Sequence, residues 1–131
     1  INLAGRRVRV VDDIASNRLV AATYLRYFGA NPVEAPDGAT ALQCLASGGF
    51  DLVLLDMNMP EMDGLQTFSH LRKLPGPIGR VPVIAMTANT LSDHRKLYSD
   101  AGINGYLAKP VTPDVAAAEI RRVLENVIPA A

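Results

Sequence analysis

Residues 51–56 read Asp-Leu-Val-Leu-Leu-Asp, an almost wholly apolar run closed at each end by a carboxylate. A strand of that composition can turn neither face to water, so it belongs at the centre of a parallel sheet covered on both sides. The rest of the chain repeats the theme, with short apolar, β-branched runs alternating with amphipathic segments. Val8–Val11 ends at Asp12-Asp13. Ser16 is then a candidate cap for a helix whose stripe is Leu19, Ala22, Leu25 and Phe28, stopped by Gly29. Asn31–Ala35 is a second strand, after which Asp37 caps a helix carrying Ala41, Leu42 and Leu45 up to Gly48-Gly49. Beyond the central run, a helix starts near Asp63-Gly64 with Leu65, Phe68 and Leu71 on one side. Residues 74–79, Leu-Pro-Gly-Pro-Ile-Gly, are too broken for regular structure. Val81–Thr87 supplies a fourth strand, Ser92–Ala101 a polar helix closed by Gly102, and Gly105–Ala108 a fifth strand. Thr112-Pro113 opens the last helix, whose stripe is Ile120, Val123, Leu124 and Val127. Five βα units imply a doubly wound, open parallel sheet with helices on both faces.

Composition narrows the class. Thirteen basic residues balance 13 acidic ones over 131 residues, which removes the electrostatic footprint of a general nucleic-acid binder. Apolar runs fall far short of a membrane span, and residues 1–7 lack an apolar signal core, so a soluble, cytoplasmic domain is expected. Cys44 is the lone cysteine; it can form no internal bridge and, beside Leu42, Leu45 and Ala46, reads as a buried structural thiol.

Sites in doubly wound sheets lie at the carboxyl ends of the strands. There the sequence places Asp12 and Asp13 after the first strand, Asp56 after the third, Thr87 after the fourth and Lys109 after the fifth. Taken singly, each has an ordinary reading: a turn or cap for an Asp, a strand residue for Thr87, a solvated charge for Lys109. Together they make a set. Three converging carboxylates need a cation, and hard oxygen ligands suit Mg²⁺, with Mn²⁺ as a substitute. A lysine and a threonine opposite suit a phosphoryl group, and Pro110 fixes the lysine beside a bond that can be cis.

The stretches Val10–Asp13 (VVDD), Leu52–Leu65 (LVLLDMNMPEMDGL), Val83–Asn89 (VIAMTAN) and Gly105–Val111 (GYLAKPV) resemble the receiver domains of two-component response regulators, in the right order along nearly the whole chain. The resemblance implies a flavodoxin-like sheet of order 2-1-3-4-5 and a single receiver domain over 1–131, with its core at about 6–128. It implies Asp56 as the acceptor of a phosphoryl group from a phosphohistidine on a histidine kinase or histidine phosphotransfer protein. Asp13, Asp56 and the backbone carbonyl of Asn58 would be Mg²⁺ ligands, with Asp12 helping to hold the metal. Lys109 would pair with phosphoryl oxygens, Thr87 would hydrogen-bond the new phosphate, and Tyr106 would be the aromatic switch. Output would run through the face of helix 4, strand 5 and helix 5, which also offers a homodimer surface. Asn58 and Asn89 resemble positions that tune dephosphorylation, with plain surface solvation as the alternative reading. The missing initial Met and the MTAN and YLAKPV wording resemble receivers attached to hybrid sensor histidine kinases, so an excised piece of such a chain is expected.

Departures and rivals complete the reading. Ile14 stands where relatives carry a polar residue. Arg9 interrupts an apolar strand and should reach solvent or a carboxylate. The loop 74–80 is longer than such a connection needs, a tolerated insertion or a contact site. A haloacid-dehalogenase-like phosphatase shares the strand-end Asp, Thr and Lys but wants a second Asp where Asn58 stands. A calcium loop fails at Pro60 and Glu61, and no Gly-x-Gly-x-x-Gly follows the first strand. His70 and His94 lack a nucleophile partner. A receiver-like interaction module that is never phosphorylated is the remaining alternative.

Overall fold

The computed structural model describes residues 2–88 and 92–126, and the side chains of all of these except 92–95. Asn89, Val127 and the side chain of His94, singled out above, lie outside the described residues. The elements, in order, are β1 (Arg7–Val11), α1 (Ala15–Tyr27), β2 (Asn31–Ala35), α2 (Gly38–Leu45), β3 (Leu52–Asp56), α3 (Gly64–Arg72), β4 (Val83–Thr87), α4 (Ser92–Ala101), β5 (Gly105–Ala108) and α5 (Pro113–Glu125). All strands are parallel, in the order β2-β1-β3-β4-β5. This is the doubly wound, flavodoxin-like sheet expected from the sequence.

Alternation along the strands divides the core in two. Val8 and Val10 of β1 face Leu25, Phe28 and Ile120 of the α1/α5 layer. Val11 faces Leu45, Phe68 and Leu71 of the opposite layer. Every residue of β3 is buried, as its composition requires. Cys44 is half-buried against the second of these layers.

Helix α3 is well specified at its start. The Asp63 carboxylate accepts the Gln66 N–H at 2.8 Å while the Gln66 side chain accepts the Asp63 N–H at 3.0 Å, a reciprocal capping box. Asp37 caps α2 through the Thr40 N–H at 2.7 Å.

Several expectations are corrected. Helix α1 begins at Ala15 with Ile14 in the cap position, so Ser16 lies inside the helix. The cause is Asp12, whose Oδ1 accepts the Ile14 N–H at 2.9 Å and turns the chain before Ser16 is reached. Leu19 is 58 % exposed, because the inward stripe runs through Ala22 and Leu25 and reaches back to residue 18. The Thr112 side chain makes no cap hydrogen bond, although Pro113 does open α5. Within the broken loop, Pro77–Arg80 forms a short 3₁₀ turn. Arg72 clasps it, with Nη1 donating to the carbonyls of Val81 at 2.7 Å and Gly79 at 3.3 Å. The fourth strand starts at Val83, two residues late, because Pro82 has no N–H for the ladder.

Arg9 is the largest departure. It reaches neither solvent nor a carboxylate: it is 3 % exposed, one guanidinium N–H meets the Thr40 carbonyl at 3.4 Å, and Nε has no hydrogen-bond partner. The Phe50 ring lies 5.8 Å from the guanidinium, and burial lowers the arginine pKa. Replacing so poorly satisfied a cation by an unbranched apolar side chain should cost little. Arg9→Met is expected to change stability by less than about 1 kcal/mol in urea unfolding. A loss above about 3 kcal/mol would mean the guanidinium is an essential core contact.

Candidate functional site

The site is built where four strands end side by side. β1 and β3 are adjacent, with Val11 opposite Leu55, so Asp12 and Asp56 leave the sheet as neighbours. β4 lies beyond β3 with Met86 opposite Asp56, and β5 is outermost with Ala108 opposite Thr87. The ladder continues past the strands: the Lys109 N–H donates to the Thr87 carbonyl at 2.9 Å and the Met57 N–H to the Met86 carbonyl at 3.0 Å. Register alone therefore delivers the five edge residues to one place.

Oxygens of Asp12, Asp13 and Asp56 lie within 4.8 Å of one another. Asp12 and Asp56 are buried at 0 % and 1 % exposure, whereas Asp13 is exposed. Two buried carboxylates so close would repel strongly if unpartnered. Lys109 partners both: its Nζ donates to Asp12 Oδ2 at 3.1 Å and to Asp56 Oδ1 at 3.0 Å. Burial acts against the charged ammonium and is the largest single influence on it. The hydrogen bonds to Asp56 and Asp12, reinforced by their charge, more than offset it, and the lysine pKa lies above its ordinary value. Asp56 Oδ1 also accepts the Asn58 N–H at 3.1 Å. The Lys109–Pro110 bond is cis.

Around this cluster, Thr87 is buried at 4 % exposure at the end of β4. Tyr106 is half-buried and stacks on Tyr98 with ring centroids 6.4 Å apart. Asn58 is exposed. Gly64 closes the β3–α3 loop so tightly that a Cβ there would lie 2.6 Å from Met57 Cα and 2.8 Å from the Asp56 carbonyl oxygen. Only glycine lets α3 approach the end of β3 this closely. A cleft of about 280 Å³ between α1 and the β5–α5 connection opens onto Asp12 and Lys109, with Asn17, Tyr24, Met86 and Val111 among its walls.

The donor set fits a small, hard divalent cation: three carboxylates from two neighbouring strand ends, one of them exposed, with solvent access for water ligands. No described helix is long and apolar enough to cross a membrane.

Sequence reasoning missed one residue at this edge. Arg18, on α1, donates from Nη1 to the Asp12 carbonyl at 2.7 Å and pairs through Nε with Glu34 on β2 at 3.4 Å. An arginine in an amphipathic helix ordinarily reads as solvated charge, and only the corrected α1 register turns it inward.

A parallel α/β domain with an acidic cluster and a lysine at the carboxyl edge of its sheet defines the class. Comparison with known proteins specifies it: residues 8–121 match the response regulator receiver domain, and the chain belongs to that family. It is 36 % identical over 122 residues to the chemotaxis protein CheY of Pseudomonas aeruginosa, covering 92 % of this chain and 98 % of that protein. Identity to the chemotaxis protein CheY-3 of Vibrio cholerae is 33 % over 121 residues, 92 % of each chain. Among solved structures, Vibrio cholerae CheY4 superposes with a TM-score of 0.85 at 29 % identity, over 92 % of this chain and all of that one.

Removing Lys109 would strand two buried carboxylates. Lys109→Met is expected to cost about 2 kcal/mol at neutral pH in metal-free urea unfolding. Because the folded lysine pKa is raised, this stabilisation is full below the unfolded value of about 10.4 and is lost as pH rises through the folded one. Equal stability of mutant and parent at neutral pH would contradict the pairing.

Proposed function

We propose that the domain accepts a phosphoryl group on Asp56, in a Mg²⁺-dependent reaction, from a phosphohistidine on a histidine kinase or a histidine phosphotransfer protein. One observation carries this reading: Asp12, Asp13 and Asp56 converge at the strand ends with Lys109 bridging the two buried ones. In-line transfer asks for positioning and charge neutralisation more than for covalent machinery, and this edge offers both.

An Asp56 carboxylate oxygen attacks phosphorus as the P–N bond breaks and its electron pair returns to the imidazole of the donor. We assign the attack to Oδ2, since Oδ1 is held by Lys109 and the Asn58 N–H. A magnesium ion held by Asp13, Asp56 and the Asn58 carbonyl, with Asp12 assisting, would neutralise charge on the phosphoryl oxygens. Lys109 then exchanges its bond to Asp56 for one to a phosphoryl oxygen, while staying tied to Asp12. The Thr87 hydroxyl hydrogen-bonds another oxygen of the new phosphate. A dianionic group in place of a carboxylate biases the α4–β5–α5 face through Thr87 and Tyr106, and that face is the output surface and the candidate homodimer contact. Asn58 and Asn89 are assigned to tuning the lifetime of the acyl phosphate.

We read residues 1–131 as one cytoplasmic receiver domain, and the MTAN and YLAKPV wording supports an origin in a hybrid sensor histidine kinase. The phosphatase alternative is weakened by Asn58, which supplies no general acid two residues after Asp56.

Incubation with acetyl phosphate is expected to give a single phosphoryl adduct by intact-mass measurement, with Mg²⁺ or Mn²⁺ but not with EDTA, and none in Asp56→Asn. An undiminished adduct in the mutant, or none in the parent, contradicts the assignment. Sustained turnover of free phosphomonoesters would favour the phosphatase instead.

A further inference from the structure

Arg18 takes no part in the roles assigned above, yet its side chain is hydrogen-bonded to the main chain of the acidic pair itself. Its Nη1 donates to the Asp12 carbonyl at 2.7 Å, a short charge-assisted bond. Its Nε lies 3.4 Å from Glu34 Oε1, and the arginine side chain is only 17 % exposed. The guanidinium thus joins three elements: β2 through Glu34, α1 through its own backbone, and the end of β1 through Asp12.

We propose that Arg18 is a positioning residue that holds the Asp12–Asp13 peptide in the orientation needed to bind a divalent cation. The inference rests on the Mg²⁺-dependent reading of the site. The Asp12 side chain is already fixed by the Ile14 N–H and by Lys109. Exposed Asp13 is set differently. The carbonyl of Asp12 and the N–H of Asp13 belong to one planar unit, so pinning that carbonyl fixes the direction from which Asp13 launches its carboxylate. Without a cation, the cluster gains by rotating this peptide and moving Asp13 away from Asp12 and Asp56, and the arginine opposes that rotation. Glu34 neutralises the guanidinium and aims it. The contribution is therefore geometric, and a lysine, lacking the planar fork, replaces it only in part.

The test is Mn²⁺ binding to the full chain, followed by the loss of the free-ion electron paramagnetic resonance signal, beside the Mg²⁺ dependence of phosphorylation by acetyl phosphate. Arg18→Met is expected to weaken Mn²⁺ binding about tenfold, with a similar rise in the Mg²⁺ concentration for half-maximal phosphorylation and a rate at saturating Mg²⁺ within about twofold of the parent. Arg18→Lys should lie between, and Glu34→Gln should shift affinity in the same direction by less. Parent-like Mn²⁺ affinity in Arg18→Met, or a rate loss at saturating Mg²⁺ without an affinity change, overturns the proposal. Should Arg18→Met fail to fold, parent-like affinity in both Arg18→Lys and Glu34→Gln overturns it instead. If the parent binds Mn²⁺ and the variants match it, the role of Arg18 alone falls. If the parent binds none, the metal-dependent reading falls with it.

Discussion

The Lys109 ammonium, bonded at once to Asp12 and Asp56, is the contact on which the organisation of this edge depends. Two nearly inaccessible carboxylates side by side repel one another unless a cation lies between them, and the lysine supplies one. It is also displaceable. In the proposed reaction its bond to Asp56 passes to a phosphoryl oxygen while its bond to Asp12 holds, so one residue would serve both the resting site and the product.

Everything behind that contact serves to place it. Parallel register brings the ends of β1 and β3 together, and the buried run Leu52–Leu55 keeps the strand that carries Asp56 between two packed layers. Gly64 lets α3 close against the end of that strand, and its capping box fixes where the helix begins. On the other flank, Asp12 has a double duty. It pairs with Lys109 and, through the Ile14 N–H, also turns the chain into α1. A residue that faces the site chemically is thus the local signal for the helix that carries Arg18 back to it.

Much of this was legible in the sequence, for physical reasons that differ by element. Strands β2 and β5 were readable to the residue and β3 to within one, because short strand-forming runs bounded by turn residues have few alternatives. The strand-end residues were readable because parallel α/β sheets collect their strand termini at one edge. One helix start, that of α1, was not: Ser16 has a capping side chain, but the competing carboxylate of Asp12 acts first, and propensity does not rank the two. The inward face of α1 goes with that start, which is why Leu19 was placed on the apolar stripe and Arg18 drew no reading. Arg9 defied the expectation because the cover of α2 and Phe50 is set by tertiary packing, which local sequence does not encode. The Pro/Gly loop acquired its 3₁₀ turn from Arg72, a partner outside the loop.

The account stands or falls on an acyl phosphate at Asp56. Borohydride reduction of the acetyl phosphate-treated protein, followed by peptide mapping, converts a phosphorylated aspartate to homoserine and locates it by mass. Homoserine at position 56 alone, dependent on Mg²⁺ during phosphorylation, is the predicted result. Homoserine at position 12 or 13, or no conversion in protein that carries the phosphoryl adduct, would contradict it.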